Sequence, residues 1–413
     1  MSDIDPIRPS AESSATISAD ELALRLGVDR QRVEQLAHAG AIERNADGRF
    51  DPGDAHRVRL LLAFEGAGVP LDALLEASKA GAISLRYYDQ LHAAPGPLSG
   101  RSYQEFRASI GDGSRYLAQL YAAFGLAEPD AASRLTIEDE QIVSDMLATV
   151  VETGQPDLAL RAIRMFGEGA RRAADGALGV YGEAANRAGD HLQGLPVDEV
   201  FERLLRPWAR FARRSADVAE WLASHHLSRA IDAYSVTATE EVLEQAGFVA
   251  ARLEVPPAIA FIDLTGFTRL TEEHGDEVAA ETAMRLGELT TDTVRPYRGR
   301  VVKLLGDGAL VRFDDASAAA AGTLDVLAAL PRAGLPTGHA GIASGPLIVR
   351  DGDLFGRTVN LAARIADAAP DGHLYVPQAL AVTLAGDRFA HRPAAGALLQ
   401  GIGRVDLADV TLA

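Results

Sequence analysis

Two consecutive prolines, Pro256 and Pro257, separate two parts of the chain that have different hydrophobic patterns. Upstream of them, apolar residues recur with the spacing of helix faces. Downstream of them, short apolar runs alternate with helical patterns as far as the C-terminus. Proline stops a helix because it lacks an amide hydrogen and restricts the residue before it. The sequence therefore predicts a mostly α-helical N-terminal part, a boundary near residue 255, and a C-terminal part of mixed strands and helices.

The composition excludes several classes of protein. The chain has no cysteine, which excludes disulfide scaffolds, thiol nucleophiles and cysteine-ligated zinc or iron–sulfur sites. It carries 40 Lys+Arg against 58 Asp+Glu, a net charge of −18, so nucleic acid is not expected as a partner. Since neither a signal peptide nor a run of eighteen apolar residues is recognised, we expect a cytoplasmic protein that does not contact a membrane.

Residues 18–77 follow the order helix, turn, helix, hairpin, helix. Gly27 and Gly40 end the first two helices, and Asp47–Gly48 is the predicted turn of a short hairpin. This order resembles the winged-helix DNA-binding domains of MerR-type regulators, on the segments Glu21–Leu22–Ala23, Leu26–Gly27–Val28, Gly40–Ala41–Ile42 and Gly68–Val69–Pro70–Leu71. From residue 20 to residue 76 there are eleven acidic residues, seven arginines and no lysine. That balance favours a module for protein contacts over one that binds DNA.

The first segment with chemical character follows the two prolines. The apolar run 258–264 has the pattern of a buried strand and delivers Asp263 to its C-terminal end. Thr265, Gly266, Phe267 and Thr268 come next and lead into a helical pattern. A carboxylate for a cation and a helix N-terminus for an anion then lie side by side. The segment therefore suits a complex of a metal ion with a phosphate.

A second segment consists of two β-like runs, 299–305 and 309–313, joined by Gly306–Asp307–Gly308. The glycines permit a tight hairpin with Asp307 at its tip, and a turn residue is also the purely structural explanation of this aspartate. If the hairpin lies beside the first strand, Asp307 and Asp263 converge. Two carboxylates next to phosphate oxygens favour Mg²⁺ or Mn²⁺.

A third segment runs from Asp353 to Arg364. Asn360 and Arg364 are four residues apart, so they share one face of a helix. An amide and a guanidinium directed at one point can bind a sugar and a phosphate. Each of these polar residues also has an ordinary structural explanation when taken alone, and it is their order and spacing together that points to a nucleotide site.

Taken together, the three segments resemble the catalytic domain of class III nucleotidyl cyclases, over about residues 256–413. The resemblance implies an α+β fold with a ferredoxin-like βαββαβ core that is active as a homodimer. It implies that Asp263 and Asp307, with the carbonyl of Leu264, bind two ions of Mg²⁺ or Mn²⁺ per active site. It also implies that the triphosphate is held by the loop residues Gly266, Phe267 and Thr268.

The same resemblance assigns the residues that meet the rest of the nucleotide. Lys303 and Asp353 stand at the base-selecting positions, and Leu354 beside Asp353 is included with the substrate-binding residues. Adenine presents an acceptor at N1 and a donor at N6, which match a lysine and an aspartate; guanine presents the reverse pattern. Asn360 matches the residue that orients the ribose, and Arg364 matches the arginine that stabilises charge on the transferring phosphate.

The reaction implied is the conversion of ATP to 3′,5′-cyclic AMP and pyrophosphate. The metal-binding aspartates would come from one protomer and Lys303, Asp353, Asn360 and Arg364 from the other. One position departs from the family: Gln400 stands where many members carry a lysine that contacts the triphosphate, with Arg404 nearby as a substitute. We expect this departure to weaken ATP binding and not to change the reaction.

The expected organisation has five segments. They are a flexible tail (1–17), a winged-helix-like segment (18–77), a helical regulatory domain (78–245), a linker (246–257) and the cyclase domain (258–413). This order resembles actinobacterial adenylyl cyclases whose N-terminal domain controls the catalytic dimer in response to pH or small lipidic ligands. Two alternatives remain open: a nucleotide-sensing transcription regulator, and a diguanylate cyclase, although the Gly-Gly-Asp/Glu-Glu-Phe hairpin of the latter is absent.

Overall fold

The computed structural model describes residues 16–83, 96–192, 194–195, 197–200, 203, 206–249, 255–384, 386, 388–394 and 396–413. The predicted tail lies almost wholly outside these residues, as do residues 250–254 of the predicted linker. The chain divides into two compact units, Met1–Val242 and Leu243–Ala413, which are described separately here. None of the helices in the described ranges is both long enough and apolar enough to cross a membrane.

The N-terminal unit is helical. Its described α-helices are α1 (Ala19–Leu26), α2 (Arg30–His38), α3 (Asp54–Gly66), α4 (Leu71–Lys79), α5 (Tyr103–Ser109), α6 (Leu117–Phe124), α7 (Ile137–Glu152), α8 (Pro156–Leu192), α9 (Val197–Val200) and α10 (Arg206–Gln245), the last of which extends to three residues beyond the unit.

Helices α1 to α4 enclose a small core of their own. The Ser18 and Asp29 side chains accept hydrogen bonds from amides in the first turns of α1 and α2, and Gly27 ends α1 in the left-handed conformation. Leu22, Leu36 and other side chains from these helices are fully buried. The ends of the two helices agree with the prediction, because Gly27 ends α1 and Gly40 directly follows the last residue that caps α2.

The predicted hairpin at 41–50 is wrong. The Asn45 side chain accepts hydrogen bonds from the amides of Asp47 and Arg49 and closes a local turn. Phe50 then pairs with Ile17, 33 residues upstream, by reciprocal backbone hydrogen bonds of 2.9 Å. Burial of the Phe50 ring against α1 to α4 outweighs pairing with the polar residues just before the turn.

The C-terminal unit contains the strands β1 (Ala258–Leu264), β2 (Arg300–Leu304), β3 (Gly308–Phe313), β4 (Gly338–Ser344), β5 (Ile348–Arg350), β6 (Asp353–Phe355), β7 (Leu374–Pro377), β8 (Phe389–Pro393), β9 (Ala397–Leu399), β10 (Gly403–Val405) and β11 (Leu407–Leu412). Its described helices are α11 (Phe267–His274), α12 (Asp276–Val294), α13 (Ala316–Ala329), α14 (Arg357–Ala368) and α15 (Gln378–Leu384).

Seven strands form one sheet in the order β2-β3-β1-β4-β7-β11-β8. Its pairs are antiparallel except β4 with β7, and β5–β6 and β9–β10 form separate two-stranded ribbons. The first four strands have the order β2-β3-β1-β4 with helices after β1 and β3, which is the ferredoxin-like arrangement. The predicted fold class, a mostly helical N-terminal part followed by this α+β core, is confirmed.

The alternation of side chains along β1 gives the sheet two different faces. Ala258, Ala260 and Ile262 face a core built with α12 and α13, whereas Ile259 and Phe261 belong to a cluster with α14. Asp263 continues the second set, so it points to the face covered by α14. This alternation decides which helix can share a site with the aspartate.

Candidate active site

Asp263 lies at the end of β1 between two neighbouring strands. Its Cα partners are Gly308 on β3 and His339 on β4. A Cβ added to Gly308 would lie 2.8 Å from Asp263 Oδ1, closer than such atoms normally approach. A side chain at this position would therefore displace the Asp263 carboxylate.

Asp307 is held close to Asp263 by the backbone. The Leu264 N–H donates a 3.0 Å hydrogen bond to the Asp307 carbonyl, and the Leu305 N–H closes the turn on the Gly308 carbonyl at 2.8 Å. Gly306 has a φ of 75°, in the left-handed region that favours glycine. The strand end and the hairpin tip, on which the sequence put the two predicted metal-binding aspartates, are thus joined directly.

The electrostatics of this corner fit a cation. Burial, followed by the charge of Asp307, raises the pKa of Asp263 to about 6, while His339 acts in the opposite direction. A half-exposed carboxyl with a raised pKa beside a second carboxylate is short of positive charge, and hard divalent ions prefer oxygen donors of this kind. The residues present therefore fit Mg²⁺ or Mn²⁺. Within the described ranges, no set of three or more His, Cys, Asp or Glu side chains already surrounds one point, so the ligands would have to turn inward.

Only two residues separate β1 from α11. The Thr265 amide donates to the Thr337 carbonyl at 2.7 Å, Gly266 adopts a φ of 74°, and α11 begins at Phe267. No side chain caps this helix end, so the amides of its first turn, including that of Thr268, are directed to the N-terminal end. The predicted triphosphate-binding residues therefore combine one left-handed glycine with the first turn of a helix.

Helix α14 carries Asn360 and Arg364 close to the sheet because glycine replaces a side chain beneath it. A Cβ on Gly341 of β4 would lie 2.2 Å from the Ala366 nitrogen and 2.6 Å from the Ala362 oxygen. The helix backbone therefore rests directly on the strand. Arg364 forms a 2.9 Å ion pair with Asp367, one turn further along the same helix.

A cavity of about 520 Å³ lies between the end of β1 and α14. Its lining includes Asp263, Gly308, Asn360, Arg364, Asp367 and Gln400. The structure thus brings together, in one cavity of a single chain, one predicted metal ligand, the two predicted catalytic residues and Gln400, the residue that departs from the family pattern. Asp307, the residues 266–268, Lys303 and Asp353 are not part of its lining, and neither is Arg404.

Lys303 and Asp353 instead meet each other. Lys303 Nζ donates to Asp353 Oδ2 at 2.6 Å, across from β2 to β6, and the Leu354 amide donates to Asp353 Oδ1 at 2.8 Å. The lysine contact and then the amide hold the pKa of Asp353 below its usual range. The Leu354 side chain is buried, and its amide is already bonded to Asp353. The two predicted base-selecting residues form one partly exposed donor–acceptor pair.

Three residues of this site were not identified from the sequence. His339 lies beside Asp263, Asp367 pairs with Arg364, and Gly341 seats α14. The run of small residues in 338–345 could have indicated close packing against a helix. No sequence pattern indicated His339 or Asp367, because their relation to the site depends on strand pairing and helix placement.

Comparison with known proteins gives matches to part of the chain. No family model matches it. It is 39% identical over 129 residues to a protein named adenylate cyclase from Streptomyces griseus, covering 31% of this chain and 32% of that protein. It is 39% identical over 134 residues to an adenylate cyclase from Streptomyces coelicolor, covering 32% and 35%. The chain therefore spans about a third of the length of these curated relatives.

Among solved structures, the chain is similar to the catalytic core of a rhodopsin-guanylyl cyclase with converted specificity in complex with ATPαS. The identity is 21% and the TM-score is 0.35, with 39% of this chain and 97% of that chain covered. The sequence matches to the two Streptomyces proteins are thus the more informative comparison, and they relate part of this chain to proteins named adenylate cyclase.

Proposed function

We propose that this chain is an adenylate cyclase of the class III type, which converts ATP to 3′,5′-cyclic AMP and pyrophosphate. The observation that carries the proposal is the corner where the Leu264–Asp307 hydrogen bond joins the two aspartate-bearing segments. The partial matches to proteins named adenylate cyclase support the same reaction.

The Lys303–Asp353 pair would read the base. The two side chains are joined by a 2.6 Å hydrogen bond, so one donor and one acceptor already lie side by side. Adenine would accept from Lys303 at N1 and donate from N6 to Asp353, whereas guanine offers the reverse arrangement and leaves both residues unsatisfied. A bound adenine would replace this internal contact with one hydrogen bond to each residue.

Asn360 and Arg364 would act on the ribose and the phosphate. In our proposal, the Asn360 amide orients the ribose so that its 3′-oxygen is in line with the α-phosphorus, and Arg364 stabilises the charge that develops there. In the free protein, Arg364 pairs with Asp367 on the same helix, and a bound phosphate would replace that partner. Asp263, Asp307 and the Leu264 carbonyl would hold two Mg²⁺ or Mn²⁺ ions, which when bound activate the 3′-hydroxyl and neutralise the triphosphate.

We propose further that two protomers share each site. Asp263 and Asp307 would come from one protomer, and Lys303, Asp353, Asn360 and Arg364 from its partner. The β5–β6 ribbon that carries Asp353 exposes the apolar side chains Ile348, Val349 and Phe355, which a second subunit would cover. The cavity that joins Asp263 to Arg364 within one chain makes a single-protomer site the direct competitor, and the subunit-mixing experiment in the Discussion distinguishes them.

The N-terminal unit would regulate the catalytic domain and not bind DNA. In the winged-helix-like segment, five of the seven arginines pair with neighbouring carboxylates, among them Arg25 with Glu21, Arg32 with Glu65 and Arg44 with Glu34. Phosphate contacts need free cationic side chains, so this surface suits contacts with protein. Deleting residues 1–250 should change the specific activity, and an unchanged activity and pH profile would contradict the proposed regulation.

The proposed activity is tested with purified full-length protein, ATP or GTP, and Mg²⁺ or Mn²⁺, by measuring cyclic nucleotide. We expect cyclic AMP from the wild type and almost none from Asp307→Ala. Asp292→Ala, which changes an exposed aspartate of α12, is the matched control and should retain full activity. Absence of cyclic AMP with the wild type, or equal product from Asp307→Ala, would overturn the assignment.

A further inference from the structure

His339 faces Asp263 across the pairing of β1 with β4. The two residues are direct Cα partners, so their side chains project from the same side of the sheet. His339 Nε2 lies 3.9 Å from Asp263 Oδ2, and 17% of the histidine side chain is exposed. A nitrogen donor is therefore fixed next to an oxygen donor that the proposed function already gives to a cation.

The hydrogen-bond network determines which histidine nitrogen has the lone pair. The Thr265 hydroxyl donates its single hydrogen to Asp371 Oδ1 at 2.7 Å. Only lone pairs of that hydroxyl then remain for His339 Nδ1 at 3.4 Å, and we therefore assign Nδ1 as the donor in this contact. In the neutral ring, Nε2 then carries the free lone pair, and it is the nitrogen that faces Asp263.

Asp371, which accepts the Thr265 hydrogen bond, lies in a loop that is fixed on both sides of it. In the loop 370–373, the Gly372 amide donates to the Gly338 carbonyl at 2.7 Å, next to His339 in the chain. His373 makes a 2.9 Å contact with the buried carboxylate of Asp409. Asp371 is thus fixed where it supports Thr265 and, through it, the imidazole. Histidines that bind metals commonly donate their second N–H to a carboxylate, a carbonyl or a water, and here a hydroxyl that itself donates to a carboxylate takes that place.

We propose that His339 Nε2 is an additional ligand for the divalent cation bound beside Asp263. The inference rests on the proposed function, which supplies that cation. Two bonds of about 2.1 Å, the length found for magnesium–oxygen and zinc–imidazole ligation, can span at most about 4.2 Å. The observed separation of 3.9 Å is within this limit. Asp307, on the joined turn, would rotate toward the same ion to complete the set.

An imidazole ligand changes which ion the site prefers. Oxygen donors alone suit Mg²⁺ and Mn²⁺ alike, whereas a nitrogen donor adds more to the binding of a transition metal than to that of Mg²⁺. The chain would therefore bind Mn²⁺ more tightly than Mg²⁺ by a margin that depends on His339. This dependence separates a ligand from a residue that merely positions Asp263, which would affect both ions equally.

The test is Mn²⁺ binding to the full-length protein without nucleotide, followed by calorimetry and by electron spin-echo spectroscopy of the bound ion. We expect a nitrogen coupling to Mn²⁺ in the wild type that changes when the protein is labelled with ¹⁵N-histidine. In His339→Ala, the coupling should disappear and the Kd for Mn²⁺ should rise at least about 10-fold, with the Kd for Mg²⁺ within about 2-fold. His274→Ala, which removes an exposed histidine, is the control and should leave both unchanged.

The outcomes separate this inference from the proposed function. Loss of Mn²⁺ binding in Asp263→Ala is expected, and binding that survives this substitution would overturn the cation site itself. If Mn²⁺ binding depends on Asp263 but the wild type shows no nitrogen coupling, only the role of His339 is overturned. An equal rise in both Kd values for His339→Ala would also overturn it. The isotope measurement needs no substitution, so it holds even if His339→Ala does not fold.

Discussion

The Leu264 amide and the Asp307 carbonyl form a 3.0 Å hydrogen bond that fixes the tip of the β2–β3 hairpin against the end of β1. Gly308, immediately after Asp307, lies so close to Asp263 that a Cβ would be 2.8 Å from its Oδ1. The two aspartates therefore share one rigid corner. Adding a single methyl group there should change the rate of cyclic AMP formation.

Gly308→Ala should reduce cyclic AMP formation at least about 10-fold, because the methyl group displaces the Asp263 carboxylate from the cation site. The variant should also need more Mn²⁺ for half-maximal activity. Gly386→Ala is the matched control, because a Cβ at that position meets nothing within 4 Å. Full activity in Gly308→Ala would mean that the position of Asp263 is not important for turnover.

Asp263→Asn should stabilise the metal-free protein at pH 8 and not at pH 4. The folded-state pKa of Asp263 is raised to about 6, so protonation favours the folded state, and that contribution is lost as the pH rises through 6. Removing the charge should add about 1 kcal/mol at pH 8 once solvent screening is included. Urea denaturation in the presence of a chelator at both pH values measures the difference. A stabilisation that is equal at pH 4 and pH 8 would contradict this origin.

Asp353→Ala should lower the preference for ATP over GTP by at least about 10-fold in kcat/KM, because the acceptor for the adenine amino group is lost. The adjacent Lys303 also loses its 2.6 Å partner, so binding of both nucleotides should change. Steady-state kinetics with both substrates gives the ratio. The exposed Asp292→Ala serves again as a control, and an unaltered ratio in Asp353→Ala would remove the pair from base selection.

Mixing inactive Asp307→Ala with inactive Arg364→Ala should restore activity if each site is shared between protomers. Random pairing gives half mixed dimers, and each mixed dimer has one intact site of two, so recovery should approach about a quarter of the wild-type activity. Cyclic AMP is measured after the two proteins are co-expressed. If one chain supplied the whole site, each protein would keep its defect and mixing would recover nothing.

Gln400→Lys should lower the KM for ATP several-fold with a smaller effect on kcat. Gln400 lines the cavity beside Asn360 and Arg364, whereas Arg404 does not, so Arg404 is not placed to supply the missing lysine charge there. Gln400→Met, of similar length and without charge, is the comparison variant. An unchanged KM in Gln400→Lys would indicate that the triphosphate does not reach this position.

Local sequence signals predicted much of the C-terminal unit. The proline pair, the apolar run that ends in Asp263 and the glycine-flanked Asp307 correspond to a strand start, a strand end and a hairpin turn in the structure. The i, i+4 spacing of Asn360 and Arg364 corresponds to one helix, α14. These features depend on residues close together in the chain, which is why the sequence could indicate them.

Long-range pairings were not accessible in this way. The partnership of Phe50 with Ile17 replaced a hairpin that the Asp47–Gly48 pair had suggested, because burial of an aromatic ring decided the pairing. His339 is 76 residues from Asp263 in the chain, and only the β1–β4 register makes them neighbours. The roles assigned to the site residues remain predictions, since the geometry groups them without substrate.

The absence of a side chain at Gly341 has a consequence for how such a domain can change over time. Between most helices and strands, a layer of side chains can be exchanged to adjust the spacing by tenths of an ångström. Here the main chain of α14 contacts the main chain of β4, so no layer of side chains is available to adjust the distance between them. Substitutions elsewhere can alter which groups α14 presents, but the distance from which Asn360 and Arg364 act is set by backbone geometry alone.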